Sequence, residues 1–188
     1  VTARQERAAA TRQRIVDAGL RLAEKTGLAG LSVNLIVEEA GVAKGTFFHH
    51  FGDRAGFLVA LHREFHDRLF TEIAQAVGGM PPSRDRLLTA AAAYLDGCLR
   101  HRGIRALLLE ARAEPLIAGA IAERNRQASQ LITPDFAAMG WAHPADGAAL
   151  WNGLVVEAAL LELAVGRRRP AVRDALAQFL RPPPGGRA

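Results

Sequence analysis

The sequence predicts an all-α fold, and three observations carry that prediction. Alanine and leucine, both strong helix formers, dominate the chain. β-Branched residues are sparse, and no stretch alternates apolar and polar side chains as a half-buried strand does. Glycine and proline signals cut the chain into pieces of helical length: TGLAGLS after residue 25, GV at 41–42, FGD at 51–53, GGMPPS at 78–83, EP at 114–115, TP at 133–134, GWAHP at 140–144 and GRRRP at 166–170.

About nine helices are expected between these breaks, at roughly 5–26, 33–40, 44–51, 54–77, 84–101, 104–112, 115–132, 145–166 and 171–181. Ser32 suits the N-cap of the second helix and Asp53 that of the fourth, because their side-chain oxygens can accept from amides left open in a first turn. Pro115, Pro134, Pro144 and Pro170 suit first-turn positions, where a missing amide hydrogen costs nothing. The three helices before residue 54 form a unit too small to stand alone, so the 54–77 helix is expected to carry the chain from one domain into the next. The expected division is a head at 1–53, a helical body at 54–181 and a disordered tail at 182–188.

The head is the most informative part. In SVNLIVEEAGVAKGTFFHHF, residues 32–51, Val33, Ile36, Val37 and Ala40 recur every three or four residues and make one face apolar. Gly41 supplies a sharp turn, Val42 points back inward, and the next helix starts at once. Two helices joined by so short a glycine-containing turn form a helix-turn-helix, whose second helix enters the major groove of DNA. Phe48 and Phe51, three apart, are expected to share the face that packs against Ile15, Leu22 and Ile36. Lys44, Thr46 and His49 are then left outward, able to meet phosphates or base edges. Gly45 lets the backbone approach DNA closely. Asn34 either reads adenine or is simply solvated. His50 either contacts DNA or packs within the head.

The stretch TRQRIVDAGLRLAEKTGLAGLSVNLIVEEAGVAKGTFFHHFGDRAGFLVAL, residues 11–61, resembles the N-terminal domain of the TetR family of one-component transcriptional regulators. The resemblance lies in Ser-Val before Ile-x-x-x-Ala-Gly-Val, then Lys-Gly-Thr, then His-Phe and an acid-base pair. It implies that Ser32 contacts phosphate at the second helix's start and that Asn34 reaches a base. It implies that Lys44, Gly45, Thr46, Phe48, His49 and His50 lie at the contact positions of the recognition helix, and that Arg54 grips phosphate. Two residues depart from the family's habit. Ala43 stands where a capping serine is usual, which costs the helix roughly 0.5–2 kcal/mol. Phe48 stands where a tyrosine is usual, so a phenol-to-phosphate hydrogen bond worth about 0.5–1.5 kcal/mol is absent.

In the rest of the chain, LWNGLVVEAALLELAVG at 150–166 is apolar on nearly all sides. Such a helix is deeply buried or shared with a second chain. Gly153, Ala158, Ala159 and Ala164 would permit close approach, and helices 145–166 and 171–181 are expected to pair with their copies as a four-helix homodimer interface. The resemblance implies the same. Glu157 is expected to lie buried in that helix, paired with Arg112 or Arg105 or facing a pocket. The ligand-pocket candidates are Leu88, Tyr94, Cys98, Leu108, Arg112, Trp151 and Val155, whose character suits a mainly apolar effector. Tyr94 is alternatively a half-buried ring and Cys98 a small apolar filler. HREFH at 62–66 sets His62 and His66 one turn apart, but the glutamate does not follow the first histidine as in zinc proteases, so both read as surface or core residues.

Composition narrows the function classes. Apolar residues make up 49% and charged residues 23%, as in ordinary globular proteins. Cys98 is the one cysteine, which excludes an internal disulfide and a multi-cysteine zinc site. No apolar run approaches the roughly 20 residues of a membrane span, and the arginines near the start precede no signal-like stretch, so a cytoplasmic location is expected. The net charge of +5 is weak evidence for nucleic acid, because residues 167–188 alone hold six basic side chains and one acid. No acid pair, metal cluster or nucleophile with a base stands at a defensible spacing, so neither an enzyme nor a cofactor is expected. The expected function is that of a homodimeric regulator, a repressor, on a near-palindromic double-stranded operator. A small molecule would release it, and the two recognition helices would sit about 34–36 Å apart. The alternatives are a helical dimerisation scaffold without DNA binding and a small helical enzyme.

Overall fold

A computed structural model describes residues 2–27, 30–103, 105, 109 and 115–180. Among the described residues there are eight α-helices and no strand: α1 Ala3–Thr26, α2 Val33–Ala40, α3 Lys44–Phe51, α4 Arg54–Ala76, α5 Arg84–Arg100, α6 Pro115–Ala138, α7 Pro144–Val165 and α8 Pro170–Phe179. The expected helix at 104–112 lies almost wholly outside the described residues, and the expected tail at 182–188 lies wholly outside them. The helices pack into two compact units, residues 1–68 with 101–122 and residues 69–100 with 123–188.

In the first unit α1, α2 and α3 pack on one another. Their shared core holds Ile15, Val16, Leu31, Ile36 and Phe47, closed by Phe57, Leu58 and Leu61 of α4, all at most 1% exposed. Local chemistry sets the turn between α2 and α3. Gly41 has φ 62° and ψ 43°, a left-handed conformation that an L side chain resists, and the amides of Gly41 and Val42 donate to the carbonyls of Glu38 and Val37. Gly19 of α1 meets a different need: a Cβ there would stand 2.4 Å from Cζ of Phe57, so the bare backbone makes the slot for that ring. Phe57 in turn lies 5.2 Å from Phe47 and 5.1 Å from Phe51, centroid to centroid.

This cluster corrects the expected register of α3. Phe47 is the fully buried ring, whereas Phe48 is 43% exposed and stands edge-on to it. The inward pair is Phe47 and Phe51, four apart and 5.3 Å between centroids, in place of Phe48 and Phe51. Leu22, expected beside them, is half-buried. His62 and His66 are buried within α4, rings 4.4 Å apart. Among the described residues, no group of three or more His, Cys, Asp or Glu side chains could hold a metal.

In the second unit α5 packs on α7 and α8. Leu87, Ala91, Leu95 and Cys98 of α5 are buried, as are Ala148, Trp151, Val155, Ala158 and Ala159 of α7 and Leu176 of α8. Helix α6 runs through Pro134 instead of ending before it. The reason is tertiary. Asp135 is fully buried and accepts from the Ser83 amide at 2.8 Å and from Arg86 Nε at 2.7 Å, while Arg86 also donates to the Leu131 carbonyl one turn back. Phe136, 1% exposed, holds the same turn against Trp141. These anchors outweigh the hydrogen bond that proline removes.

Helix α7 corrects two further expectations. Glu157 is exposed, and the buried acid is Glu162. Its carboxylate accepts from the Arg169 amide and from Arg173 Nε and Nη2 at 2.7–2.8 Å. Burial pushes that carboxyl up, but the Arg173 fork, the Arg169 amide and the Arg168 charge outweigh it and hold the carboxyl below its ordinary value. The small residues also split: Ala158 and Ala159 face the chain's own core, while Gly153 and Ala164 are exposed beside Leu150, Leu161 and Val165. By length and composition α7 is apolar enough to cross a membrane, contrary to the expectation that no run approaches that length. Its inward side nonetheless carries a packed tryptophan and a paired glutamate.

Candidate nucleic-acid interface

The surface built by α2, α3 and the start of α4 follows from how each helix begins. Ser32 caps α2: its Oγ accepts from the Leu35 amide at 3.3 Å, which leaves the hydroxyl hydrogen free to donate outward. Asn34, two residues on, is exposed. Helix α3 starts without such help, since Ala43 at its N-cap has extended dihedrals and no side chain to bond with. Helix α4 starts on Asp53, whose Oδ1 accepts from the Gly56 amide at 2.8 Å. Arg54 is half-buried, and its Nε donates to the Leu31 carbonyl at 3.4 Å, tying the head of α4 to the segment before α2.

On α3, burying Phe47 turns the opposite side outward. Gly45 and His49, four apart, lie on that side with Phe48 beside them, and Lys44 stands exposed at the first position. A Cβ on Gly45 would meet nothing within 4 Å, so the fold itself does not require glycine there. Thr46 and His50 are half-buried at the edges of the exposed face. Burial pushes the His50 imidazole below its ordinary value, and the nearby charges of His49 and Arg12 push the same way, so near neutral pH it serves as a neutral hydrogen-bonding ring. Among the described residues no carboxylate lies within ion-pair reach of Lys44. The arrangement offers one cation, two rings that can bond to base edges, a bare backbone position and a hydroxyl on one continuous face.

Sequence reading missed Arg12. Its guanidinium lies 5.2 Å above the Phe51 ring, joining α1 to the last turn of α3. Helical spacing from one helix to another gives no such signal. Of the ligand-pocket candidates, Tyr94, Cys98, Trp151 and Val155 are buried in the second unit and Leu88 is half-buried there. Leu108 and Arg112 lie outside the described residues.

Residues 15–61 match the family described as bacterial regulatory proteins, tetR family. Over these residues the chain is similar to the N-terminal domain of TetR-family regulators. The chain is 33% identical over 70 residues to the HTH-type transcriptional regulator BetI of Vibrio vulnificus, covering 37% of this chain and 35% of that protein. It is 30% identical over 102 residues to the HTH-type transcriptional repressor NemR of Escherichia coli, covering 52% of this chain and 50% of NemR. The matched part therefore spans at most half the length of these curated relatives. The multidrug binding protein EbrR, solved in complex with imidazole, superposes over 92% of this chain and 96% of its own with a TM-score of 0.76 at 22% identity, a likeness of fold.

Proposed function

We propose that the chain is a DNA-binding transcriptional regulator of the TetR family, a cytoplasmic repressor that responds to a small molecule and is not an enzyme. The observation that carries this reading is the outward face of α3, where Lys44, Gly45, Phe48 and His49 stand exposed on a helix braced by the fully buried Phe47. In this reading the head at 1–53 binds one half of a near-palindromic operator. Lys44 and Ser32 bond to phosphates, as does Arg54, while His49 and Asn34 face base edges. Thr46, Phe48 and His50 lie along the same contact.

The body at 54–181 carries the effector and the dimer contact. Leu150, Leu161 and Val165 of α7 and Phe179 of α8 are 40–71% exposed, an apolar surface that suits a second copy of the chain. Tyr94, Cys98, Trp151 and Val155, with Leu88, Leu108 and Arg112, are the residues proposed to meet a mainly apolar effector. Named relatives and neighbours support the two halves of the reading, a transcriptional repressor in NemR and a multidrug binding protein in EbrR. An effector releases DNA only if it binds one state of the protein better than the other.

A salt titration tests the reading. The log of the affinity for duplex DNA should fall linearly with log salt. Lys44→Ala should weaken binding on all sequences, and Asn34→Ala should relax preference at one base position. Binding that ignores salt, or is untouched by both changes, contradicts the assignment.

A further inference from the structure

Helix α1 is longer than the core it serves. Its buried residues begin at Ile15, while every residue from Thr2 to Ala10 is exposed. The outer turns are nonetheless helical, for reasons visible in their sequence. Thr2 and Gln5 form a reciprocal capping box, and Ala8, Ala9 and Ala10 are the strongest helix formers available. The result is an arm of about 18 Å, given 1.5 Å per residue over residues 3–14.

The arm's charge is one-sided. It holds Arg4, Arg7, Arg12 and Arg14 against the single acid Glu6. Arg4, Arg7 and Arg14 lie within about 80° of one another around the helix axis, so they share a side, and all three are exposed. Among the described residues no carboxylate lies within ion-pair reach of any of the three, whereas Arg21 and Arg68 in the same unit are paired with Glu39 and with Asp17 and Glu64. Arg12 fixes where the arm emerges, since its contact with Phe51 sets the arm beside the last turn of α3.

We infer that this arm is a second DNA contact, in which Arg4, Arg7 and Arg14 bond to phosphates flanking the stretch met by α3. It lengthens the footprint and raises affinity without adding base preference. The inference rests on the proposed docking of α3 and deepens it. Two observations select DNA backbone as the occupant: three guanidiniums with no carboxylate partner among the described residues suit a polyanion, and the arm is continuous with the α3 face through Arg12.

The test uses the full chain and a 40-base-pair duplex of mixed sequence, with affinity measured across salt. Replacing Arg4, Arg7 and Arg14 together by alanine should weaken binding on the order of 10- to 100-fold in dilute salt and make the log–log slope shallower by about two to three per protomer. Replacing the same three by lysine should keep most of the slope, because the charge remains. Helix content and unfolding midpoint should not change, since all three side chains are exposed. If the alanine variant keeps the parent slope and affinity while Lys44→Ala weakens binding, the arm inference falls and the proposed function stands. If the parent chain binds no duplex even in dilute salt, both fall.

Discussion

The two units treat their arginines in opposite ways. In the second unit several are consumed by carboxylates: Arg86 by Asp135, Arg100 by Glu72, Arg168 by Asp96, and Arg173 by Glu162 and Asp96. In the first unit Arg21 and Arg68 are paired, while Arg4, Arg7, Arg14 and Lys44 have no carboxylate within reach among the described residues. A cation already neutralised inside a protein adds little to the attraction of DNA, and an unpaired one releases counterions when it meets phosphate. The lesson is that net charge per domain is a poor guide. Residues 1–54 carry only two more basic than acidic side chains, yet placement leaves Lys44, Arg4, Arg7 and Arg14 exposed with no carboxylate in reach among the described residues.

The comparison is most sharply tested where a charge pair is buried. Glu162→Ala should destabilise the second unit by about 1–3 kcal/mol, read from denaturant unfolding, because Arg173 and the Arg169 amide lose their acceptor while Asp96 still partners Arg173. The parent protein should also lose this contribution in acid. The Glu162 carboxyl sits below its ordinary value in the fold, so its stabilisation is complete above the carboxylate range and vanishes as pH falls through the lowered value. A variant as stable as the parent would show that the pair is ornamental. In the first unit, Phe47→Ala should cost about 3–5 kcal/mol, against no more than about 0.5 for Phe48→Ala. Equal costs would mean that the register of α3 is wrong.

Smaller effects sharpen the contrast. Ala43→Ser should supply the missing cap on α3 and stabilise the head by about 0.5–2 kcal/mol. A null change in the unfolding midpoint would show that the start of α3 is held by tertiary contacts alone. His50 should give the smallest effect. Its folded imidazole lies below the ordinary value of about 6.5, so the unfolded chain takes up the proton first and stability falls as pH drops through that window. His50→Gln should flatten that slope, and an unaltered slope would place the titration elsewhere.

Much of this was legible in the sequence because it is local. Ser32 and Asp53 act through amides three residues away, and Gly41 acts through its own dihedral angles. The bounds of α2 and the start of α4 follow from those residues alone. What escaped was non-local. Phe47 and Phe48 are adjacent on an eight-residue helix, and the choice between them rests on Phe57, which enters through the slot left by Gly19. Pro134 looks like a stop until Arg86 and Ser83, some fifty residues away, are seen holding Asp135. On α7, apolar nearly all round, spacing cannot tell which glutamate turns inward, and Arg173 decides for Glu162. The α1 arm was visible as four arginines, but that Arg4, Arg7 and Arg14 meet no carboxylate among the described residues is a fact of three dimensions.

The central claim, that the outward face of α3 docks on duplex DNA in a two-fold pair, is tested most directly by recovering bound DNA from a random duplex pool with the full chain at low salt. The account predicts enrichment of an inverted repeat whose half-sites lie about one helical turn apart. Recovery of no enriched sequence, or of a motif without two-fold symmetry, would contradict it.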